Sequence, residues 1–187
     1  MAISPACGRL LVATRELVDP NFSRTVVLIC RHSEEAGTFG LVLNRPTKMR
    51  LRKALPVLSE GRAERLWAGG PVEGETLWML HRLRALEQVS EQVMDGLWFA
   101  GGAEFTHRLV EAAGPDIDGD VYRCYAGFAG WGTAQLDAEI AEGSWVVVAA
   151  GPQAPFGTDH DLWAEMSIRA LLPGGRDADF IERARKN

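Results

Sequence analysis

The stretch YAGFAGWGTAQLDAEI, Tyr125–Ile140, passes from a half rich in aromatic residues and glycine into a half with helical spacing. Glycine repeated beside aromatic residues is typical of backbone that passes close to another group or adopts a positive φ. In the second half, Leu136 and Ile140 share one helical stripe. The stretch therefore predicts a bent strand followed by a short helix, Ala134–Glu142, with Thr133 as its N-cap.

Short aliphatic runs on both sides of this stretch are typical of buried strands. HSEEAG predicts a hairpin loop before TFGLVLN, and Asp95-Gly96 is a strong signal for a two-residue hairpin turn. The predicted strands are RLLVA (Arg9–Ala13), TVVLIC (Thr25–Cys30), TFGLVLN, RLWAGGPV, TLWMLHRL, the two arms around Asp95-Gly96, DVYRCYAGFAGW and SWVVVAA (Ser144–Ala150).

Three further segments have apolar residues at helical spacing. They are Thr47–Leu58, in which Pro56 limits the helix, Ala103–Gly114, and a segment that begins at a cap, Thr158 or Asp159, and continues towards Leu172. Strands cluster early and helices late in the chain. This order favours an α+β domain over a regular βαβ succession with a parallel sheet.

Length and charge limit the classes of function. A chain of 187 residues predicts a single domain, 1–187, with its own core. The net charge of −5 argues against a surface that binds nucleic acid or acidic lipid as a whole. The N-terminal residues lack the pattern of a signal peptide, and no apolar run approaches the roughly 20 residues that span a bilayer. We therefore expect a cytoplasmic protein without a membrane segment.

Cysteines and histidines give no sign of a metal site. Cys7, Cys30 and Cys124 are widely spaced and form no C-x-x-C pair, which predicts neither a disulfide framework nor a zinc site. We expect small buried side chains, with Cys7 the most exposed. The four histidines are scattered without H-x-x-x-H spacing. No metal and no cofactor is predicted.

One basic segment stands out in this acidic chain. NRPTKMRLRK contains no acidic residue, and Arg62 and Arg65 follow it. Such a run is usually a solvated helix face, but the asymmetry of charge also indicates an anionic partner. Specific DNA binding is not expected, because the chain shows no helix-turn-helix with a basic recognition helix. RNA, an acidic protein surface or a nucleotide stay open. The candidate residues for an anionic partner are Lys48, Arg50, Arg52 and Lys53.

A second set of residues forms candidate ligand sites. Trp131 could be the apolar wall and Gln135 the polar handle of a pocket, although we favour a role in packing the core. Backbone N–H groups of the Gly-Gly-Pro turn could hold an anion near Arg45, but a strand end and a turn explain these residues better. A lone histidine in a strand is more often structural than catalytic. The candidate ligand-binding residues are Asn44, Arg45, Gly69, Gly70, His81, Gly130, Trp131 and Gln135.

No catalytic constellation is recognisable. The chain has no G-x-S-x-G elbow, and Ser144 lacks that context. A cysteine enzyme would need a histidine beside one of the three thiols, which the sequence does not indicate. The expectation is therefore that the protein is not an enzyme.

Three motifs in order carry a resemblance: D-P-N-F, L-N-R-P and A-G-W-G-x-x-Q-L, with GGPV and Leu80-His81 between the last two. From Gly8 to about Leu172, the chain resembles the YqgE/AlgH family of bacterial proteins, which are often labelled transcriptional regulators. The resemblance implies an α+β fold with a mixed, mostly antiparallel sheet bent into a partial barrel and helices packed outside. It implies no established enzyme activity.

The chain departs from the family pattern G-Y-A-G-W-G-P-G-Q-L-E at four positions. Phe128 replaces the tyrosine, Thr133 and Ala134 replace Pro-Gly, and Asp137 replaces the glutamate. Any role of the tyrosine hydroxyl is therefore absent here.

These observations together predict a cytoplasmic regulatory or scaffolding protein that acts by binding, with an indirect role in transcription. We expect a protein partner or a small anionic ligand. One alternative is a sensor of a small molecule or nucleotide that uses Gly127–Gln135, and the other is an undetected enzyme.

Overall fold

A computed structural model describes residues 3–54, 65–102, 122–149, 151–157 and 161–171. These residues form ten strands, three α-helices and two 3₁₀ turns. The strands are β1 (Arg9–Ala13), β2 (Val26–Ser33), β3 (Gly37–Val42), β4 (Pro46–Arg50), β5 (Arg65–Ala68), β6 (Val72–His81), β7 (Glu91–Met94), β8 (Leu97–Gly101), β9 (Tyr122–Trp131) and β10 (Trp145–Ala149). The α-helices are α1 (Leu51–Ala54), α2 (Gln135–Ala141) and α3 (Leu162–Leu171), and the 3₁₀ turns are Arg84–Val89 and Ala154–Phe156.

The strands form one mixed sheet in the order β10-β1-β2-β3-β9-β6-β8-β7, with β5 paired to β9 and β4 paired to β5. The β5–β9 pair is parallel, through Trp67 opposite Tyr125, and the other pairs are antiparallel. The predicted α+β class with a mostly antiparallel sheet is therefore confirmed. The strand order does not close on itself, so the partial barrel stays a prediction.

Strand β9 contains the first half of the Tyr125–Ile140 stretch, and its two ends have different partners. Residues 129–131 pair with β3, whereas residues 122–126 pair with β6. Gly127 lies between the two ends with a φ of 69°. A Cβ there would lie 2.6 Å from the carbonyl oxygen of Gly70 and 2.8 Å from that of Val72. The bend therefore requires glycine, because the backbone passes too close for a side chain.

The larger of two buried clusters centres on β1, β2, β3 and β10. Strands β1, β2, β3 and β10 supply fully buried aliphatic side chains, each of which stabilises the fold by roughly 1.5–3 kcal/mol. Trp163, Met166 and Ala170 of α3 pack against them, as their spacing predicts. The indole Nε1 of Trp163 donates to the carbonyl oxygen of Ala13 at 2.6 Å. A smaller cluster includes Leu51, Leu66, Met79, Leu86, Ala100, Tyr122 and Cys124.

The helix predicted over Thr47–Leu58 is wrong in its first part. Residues 46–50 form strand β4, which pairs with β5. Of the described residues in this segment, only Leu51–Ala54 are helical. Pairing with a distant strand outweighs local helical spacing, and Leu51, which is fully buried, satisfies either pattern. Residues 55–58 lie outside the described part of the chain.

Thr133 is not the cap of α2. Ala134 occupies the cap position with a φ of 60°, and its side chain makes no capping bond. The Thr133 hydroxyl donates instead to the carbonyl oxygen of Glu35 at 3.2 Å. Before α3, Asp161 accepts the N–H of Ala164 at 3.1 Å. The caps predicted at 158 and 159, and the helix predicted at 103–114, lie outside the described residues.

The hairpin predictions are confirmed. β2 and β3 form one hairpin, and β7 and β8 form another around Asp95-Gly96, where Gly96 has a φ of 73°. Cys7 is exposed, whereas Cys30 and Cys124 are buried, as predicted.

Candidate functional site

The first candidate region is the aromatic corner, formed by Phe22, Trp131, Trp145 and Glu139. The Phe22 ring stacks on Trp131 at 5.8 Å between centroids and meets Trp145 edge-on at 5.6 Å. The two indoles meet edge-on at 5.7 Å. Trp131 is only 4% exposed, so it fills the core at this corner.

Glu139 of α2 binds both indoles. One carboxylate oxygen accepts the Nε1–H of Trp131 at 2.9 Å and that of Trp145 at 2.8 Å. The other accepts the side-chain amide of Gln135 at 2.9 Å, while the Gln135 oxygen accepts the N–H of Gly132 at 2.9 Å. The polar groups that could have served a ligand thus close the turn between β9 and α2. These hydrogen bonds tie Trp131 and Gln135 to the fold, and sequence spacing could not reveal Glu139 as their shared acceptor.

Gly130 also has a role in packing. It lies on β9 opposite Phe39 of β3. A Cβ there would approach the Phe128 ring to 3.2 Å. Phe128 stacks on Phe39 at 4.6 Å. The phenylalanine that replaces the family tyrosine is thus half-buried against another aromatic ring.

Asn44 and Arg45 fix the end of the β2–β3 hairpin. The Asn44 side chain accepts the N–H of Val26 at 2.9 Å and donates to the carbonyl oxygen of Arg24 at 2.9 Å. Arg45 donates to the carbonyl oxygen of Ser23 at 2.6 Å. Arg24 has a φ of 56°, and these bonds hold its unusual backbone in place.

The Gly69-Gly70 turn connects β3, β5 and β9. The Gly69 N–H donates to the carbonyl oxygen of Ala126 at 2.8 Å, and the Gly69 carbonyl accepts from Val42 at 2.8 Å. A side chain at Gly70 would collide with the backbone of Phe128. The Gly69 N–H is therefore used within the fold, and both glycines permit strands to cross closely.

His81 is fully buried at the end of β6. Its Nε2 lies 2.8 Å from the Ser90 hydroxyl, and its Nδ1 accepts the N–H of Leu83 at 3.2 Å. Because the Ser90 hydroxyl donates to Leu86, Nε2 carries the proton. Burial lowers the pKa of His81 to about 4, so the ring is neutral at pH 7.

The second candidate region is a cleft of about 340 Å³ on the β4–β5 pair, called the cationic cleft here. Its lining includes three cationic side chains, which come from both strands. The described residues that line it are Pro46, Thr47, Lys48, Arg50 and Arg65.

A bulge in β4 shapes this cleft. Pro46 pairs with Trp67 and Arg50 with Arg65, so β4 has two extra residues between these pairs. The Thr47 hydroxyl closes the bulge, because it donates to the carbonyl oxygen of Leu66 at 2.6 Å and accepts the N–H of Met49 at 3.1 Å.

The structure brings Lys48 and Arg50 together in the cleft, and Lys53 is exposed on the adjoining α1. The side chain of Arg52 lies outside the described part. Arg65, which was not among the candidates, completes the lining. It is distant in sequence from Arg50, and only the β4–β5 pairing reveals the connection.

Arg123 adds a cation on the neighbouring strand β9. Its guanidinium lies 4.0 Å from the centre of the Trp67 ring and donates to the carbonyl oxygen of Gly157 at 3.1 Å. Arg65 and Arg123 each stand two residues before the paired residues Trp67 and Tyr125. Positive charge thus continues from β4 through β5 to β9.

Within the described ranges, no three His, Cys, Asp or Glu side chains lie close enough together to hold a metal ion. No helix in those ranges has the length and apolar character needed to cross a membrane.

Comparisons with known proteins agree with the fold. The sequence model of the AlgH-like family matches residues 10–171. A UPF0301 protein of Chlorobium luteolum is 34% identical over 165 residues, which cover 88% of this chain and 85% of the relative. A UPF0301 protein of Mycolicibacterium smegmatis is 35% identical over 172 residues, or 89% of this chain and 83% of the relative.

Two solved structures are similar over most of the chain. The crystal structure of a Corynebacterium diphtheriae protein superposes with a TM-score of 0.71 at 25% identity, covering 92% of this chain and 90% of that protein. The solution structure of the AlgH protein from Pseudomonas aeruginosa gives a TM-score of 0.70 at 25% identity, covering 91% and 92%.

Proposed function

Since this chain belongs to the AlgH-like family, we propose that it acts by binding rather than by catalysis, as a cytoplasmic regulatory or scaffolding factor. Its binding site is the cationic cleft, and its partner is anionic. An effect on transcription would then be indirect, through that partner.

The observation that carries this proposal is the grouping of Lys48, Arg50 and Arg65 in one cleft of a chain whose net charge is −5. Clustered cations in a concave site focus the electric field and attract an anionic partner. Lys53 extends the positive charge beyond the cleft onto α1.

The remaining candidates for chemistry support binding over catalysis. His81 is neutral and held by two hydrogen bonds within the core. Burial raises the pKa of the Cys30 thiol well above its usual range, and partial burial also raises that of Cys7. Raised thiol pKa values disfavour the reactive thiolate.

The test is binding of a labelled single-stranded RNA and a labelled polyglutamate peptide at about 50 mM and about 200 mM salt. The variant Arg50→Gln with Arg65→Gln removes two cleft charges. Arg15→Gln with Arg84→Gln removes two exposed charges outside the cleft lining and serves as the control.

We expect the wild type and the control to bind at least one probe, with affinity that falls as salt rises, and the cleft variant to lose binding. The proposal is wrong if the wild type binds neither these probes nor a small anion at low salt, or if the control loses as much affinity as the cleft variant.

A further inference from the structure

Arg50 and Arg65 stand directly opposite each other across the β4–β5 pair. Like charges at opposite positions destabilise a strand pair, whereas opposite charges stabilise it. Both residues also have partners within the chain. An anion between the two guanidinium groups would attract both of them.

The third cation in the cleft decides how much negative charge fits. Lys48 lies on the bulged part of β4 and lines the same cleft. Two guanidinium groups and one ammonium group offer more hydrogen-bond donors than the oxygens of one carboxylate can accept. A phosphate monoester carries about −1.5 to −2 charges at pH 7 and offers three strong acceptor oxygens. Arginine pairs with two phosphate oxygens at once, and lysine adds a compact charge.

The volume of the cleft indicates a ligand larger than a free phosphate ion. Sites for small molecules usually measure about 300–1,000 Å³, and the cleft, at about 340 Å³, lies at the lower end of this range. It therefore has room for a small group attached to the phosphate. The hydroxyl of Thr47, which also lines the cleft, is held by the bulge.

From this geometry we propose that the cationic cleft binds the phosphate of a small phosphorylated molecule, with Lys48, Arg50 and Arg65 as its ligand-binding residues. This inference rests on the proposed function, because it assigns a ligand class to the same cleft. Binding stabilises the strand pair that carries the three side chains.

The test measures thermal unfolding and calorimetric binding with ribose 5-phosphate, inorganic phosphate and citrate at equal ionic strength. At a hundredfold excess over its Kd, a ligand of the native state raises Tm by roughly 5–10 °C for a chain of this size. We expect ribose 5-phosphate to bind more tightly than inorganic phosphate, and citrate to bind more weakly than either.

Single substitutions distinguish recognition by charge from recognition by the geometry of the arginine side chain. Arg65→Lys keeps the charge but loses the planar fork, and we expect at least about a tenfold loss of affinity for ribose 5-phosphate. Lys48→Gln should also weaken binding, whereas Arg84→Gln, outside the cleft lining, should not. Thermal unfolding without ligand shows whether each variant is folded. Equal affinity of Arg65→Lys and the wild type would overturn the bidentate arrangement.

The outcomes distinguish this inference from the proposed function. If the RNA or the peptide binds through the cleft but no phosphate compound does, the small-molecule ligand is wrong and the proposed function stands. If citrate binds as tightly as ribose 5-phosphate, the cleft recognises charge alone and the inference also fails. If no anion of either kind binds, both proposals fail.

Discussion

In the aromatic corner one carboxylate, Glu139, accepts three hydrogen bonds from its neighbours. In the cationic cleft two arginines face each other, and no acidic side chain is among the described lining residues. Glu139 is half-buried and ties α2 to β9 and β10, whereas charges of one sign grouped at the surface attract groups of the opposite sign. The two regions differ in the sign and grouping of their charges, which only the folded structure brings together.

The largest loss of unfolding free energy is expected from a substitution at Gly37, whose backbone lies against the aromatic corner. Gly37 has a φ of 85°, and a Cβ there would collide with the carbonyl oxygen of Trp131. We expect Gly37→Ala to lower the free energy of unfolding by roughly 3–5 kcal/mol, from backbone strain and overpacking together. Urea denaturation measures the loss.

Gly96→Ala is the matched control for Gly37→Ala. Gly96 has a φ of 73°, but the space around its missing side chain is open. The Gly96→Ala variant should lose only about 1–2 kcal/mol of unfolding free energy, from backbone strain alone. Equal losses in the two variants would show that close contact with Trp131 is unimportant.

The next largest effect is expected when the shared hydrogen-bond acceptor of the aromatic corner, Glu139, is removed. Glu139→Ala leaves the indole N–H groups of Trp131 and Trp145 without their carboxylate, and we expect a loss of about 3 kcal/mol in unfolding free energy. Glu142→Ala, on an exposed residue just after α2, should change stability by less than about 0.5 kcal/mol. If both variants are equally stable in urea, Glu139 does not hold the corner together.

His81 extends the comparison to a polar side chain that is fully buried. Its pKa is lowered from 6.5 to about 4 in the folded protein, so the unfolded chain binds more protons between these values. Stability is therefore fully present above about pH 6.5 and falls as pH decreases towards 4. From pH 7 to pH 5 we expect His81 to cost about 2 kcal/mol.

Urea denaturation at both pH values, in the wild type and in His81→Gln, isolates this contribution. The variant should lose less stability than the wild type on acidification. A His81→Gln variant with the wild-type dependence on pH would contradict the assignment of a lowered pKa.

One substitution next to the aromatic corner is expected to stabilise the protein instead. Ala134 adopts a φ of 60° where the family pattern has glycine. Non-glycine residues in this conformation cost about 1–2 kcal/mol, so we expect Ala134→Gly to raise the unfolding free energy by about 1 kcal/mol. Ala138→Gly, inside α2, should instead lower it by about 1 kcal/mol. Loss of stability in both variants would rule out strain at Ala134.

The smallest effect concerns the cationic cleft itself. Arg65 is exposed, so Arg65→Gln should change the free energy of unfolding by less than about 0.5 kcal/mol in the absence of a ligand. A loss as large as that of Glu139→Ala would show that the cleft, like the corner, is part of the structural framework.

Sequence patterns predicted most strands because alternation and turn chemistry are local properties. Asp95-Gly96 sets the β7–β8 hairpin within a few residues, and the bend of β9 is visible in its glycines. The β4 strand was predicted as a helix because its partner, β5, lies beyond a long intervening segment.

The sites were harder to predict, for the same reason. Glu139 and Arg65 were singled out because of side chains on other elements. The amino-acid sequence alone does not show which strands become neighbours. The sequence suggested Trp131 and Gln135 as the wall and the polar handle of a pocket, and only their contacts reveal that they share an acceptor.

The pairing of β1 with β10 has a consequence for how the chain folds. Residues 9–13 contact residues 145–149, and Trp163 then bonds to Ala13. Closing such long loops costs entropy before the new contacts stabilise anything, and folding slows as contacting residues lie further apart in sequence. During synthesis, which proceeds from the N-terminus, β1 must therefore wait with one edge unpaired until nearly the whole domain has left the ribosome.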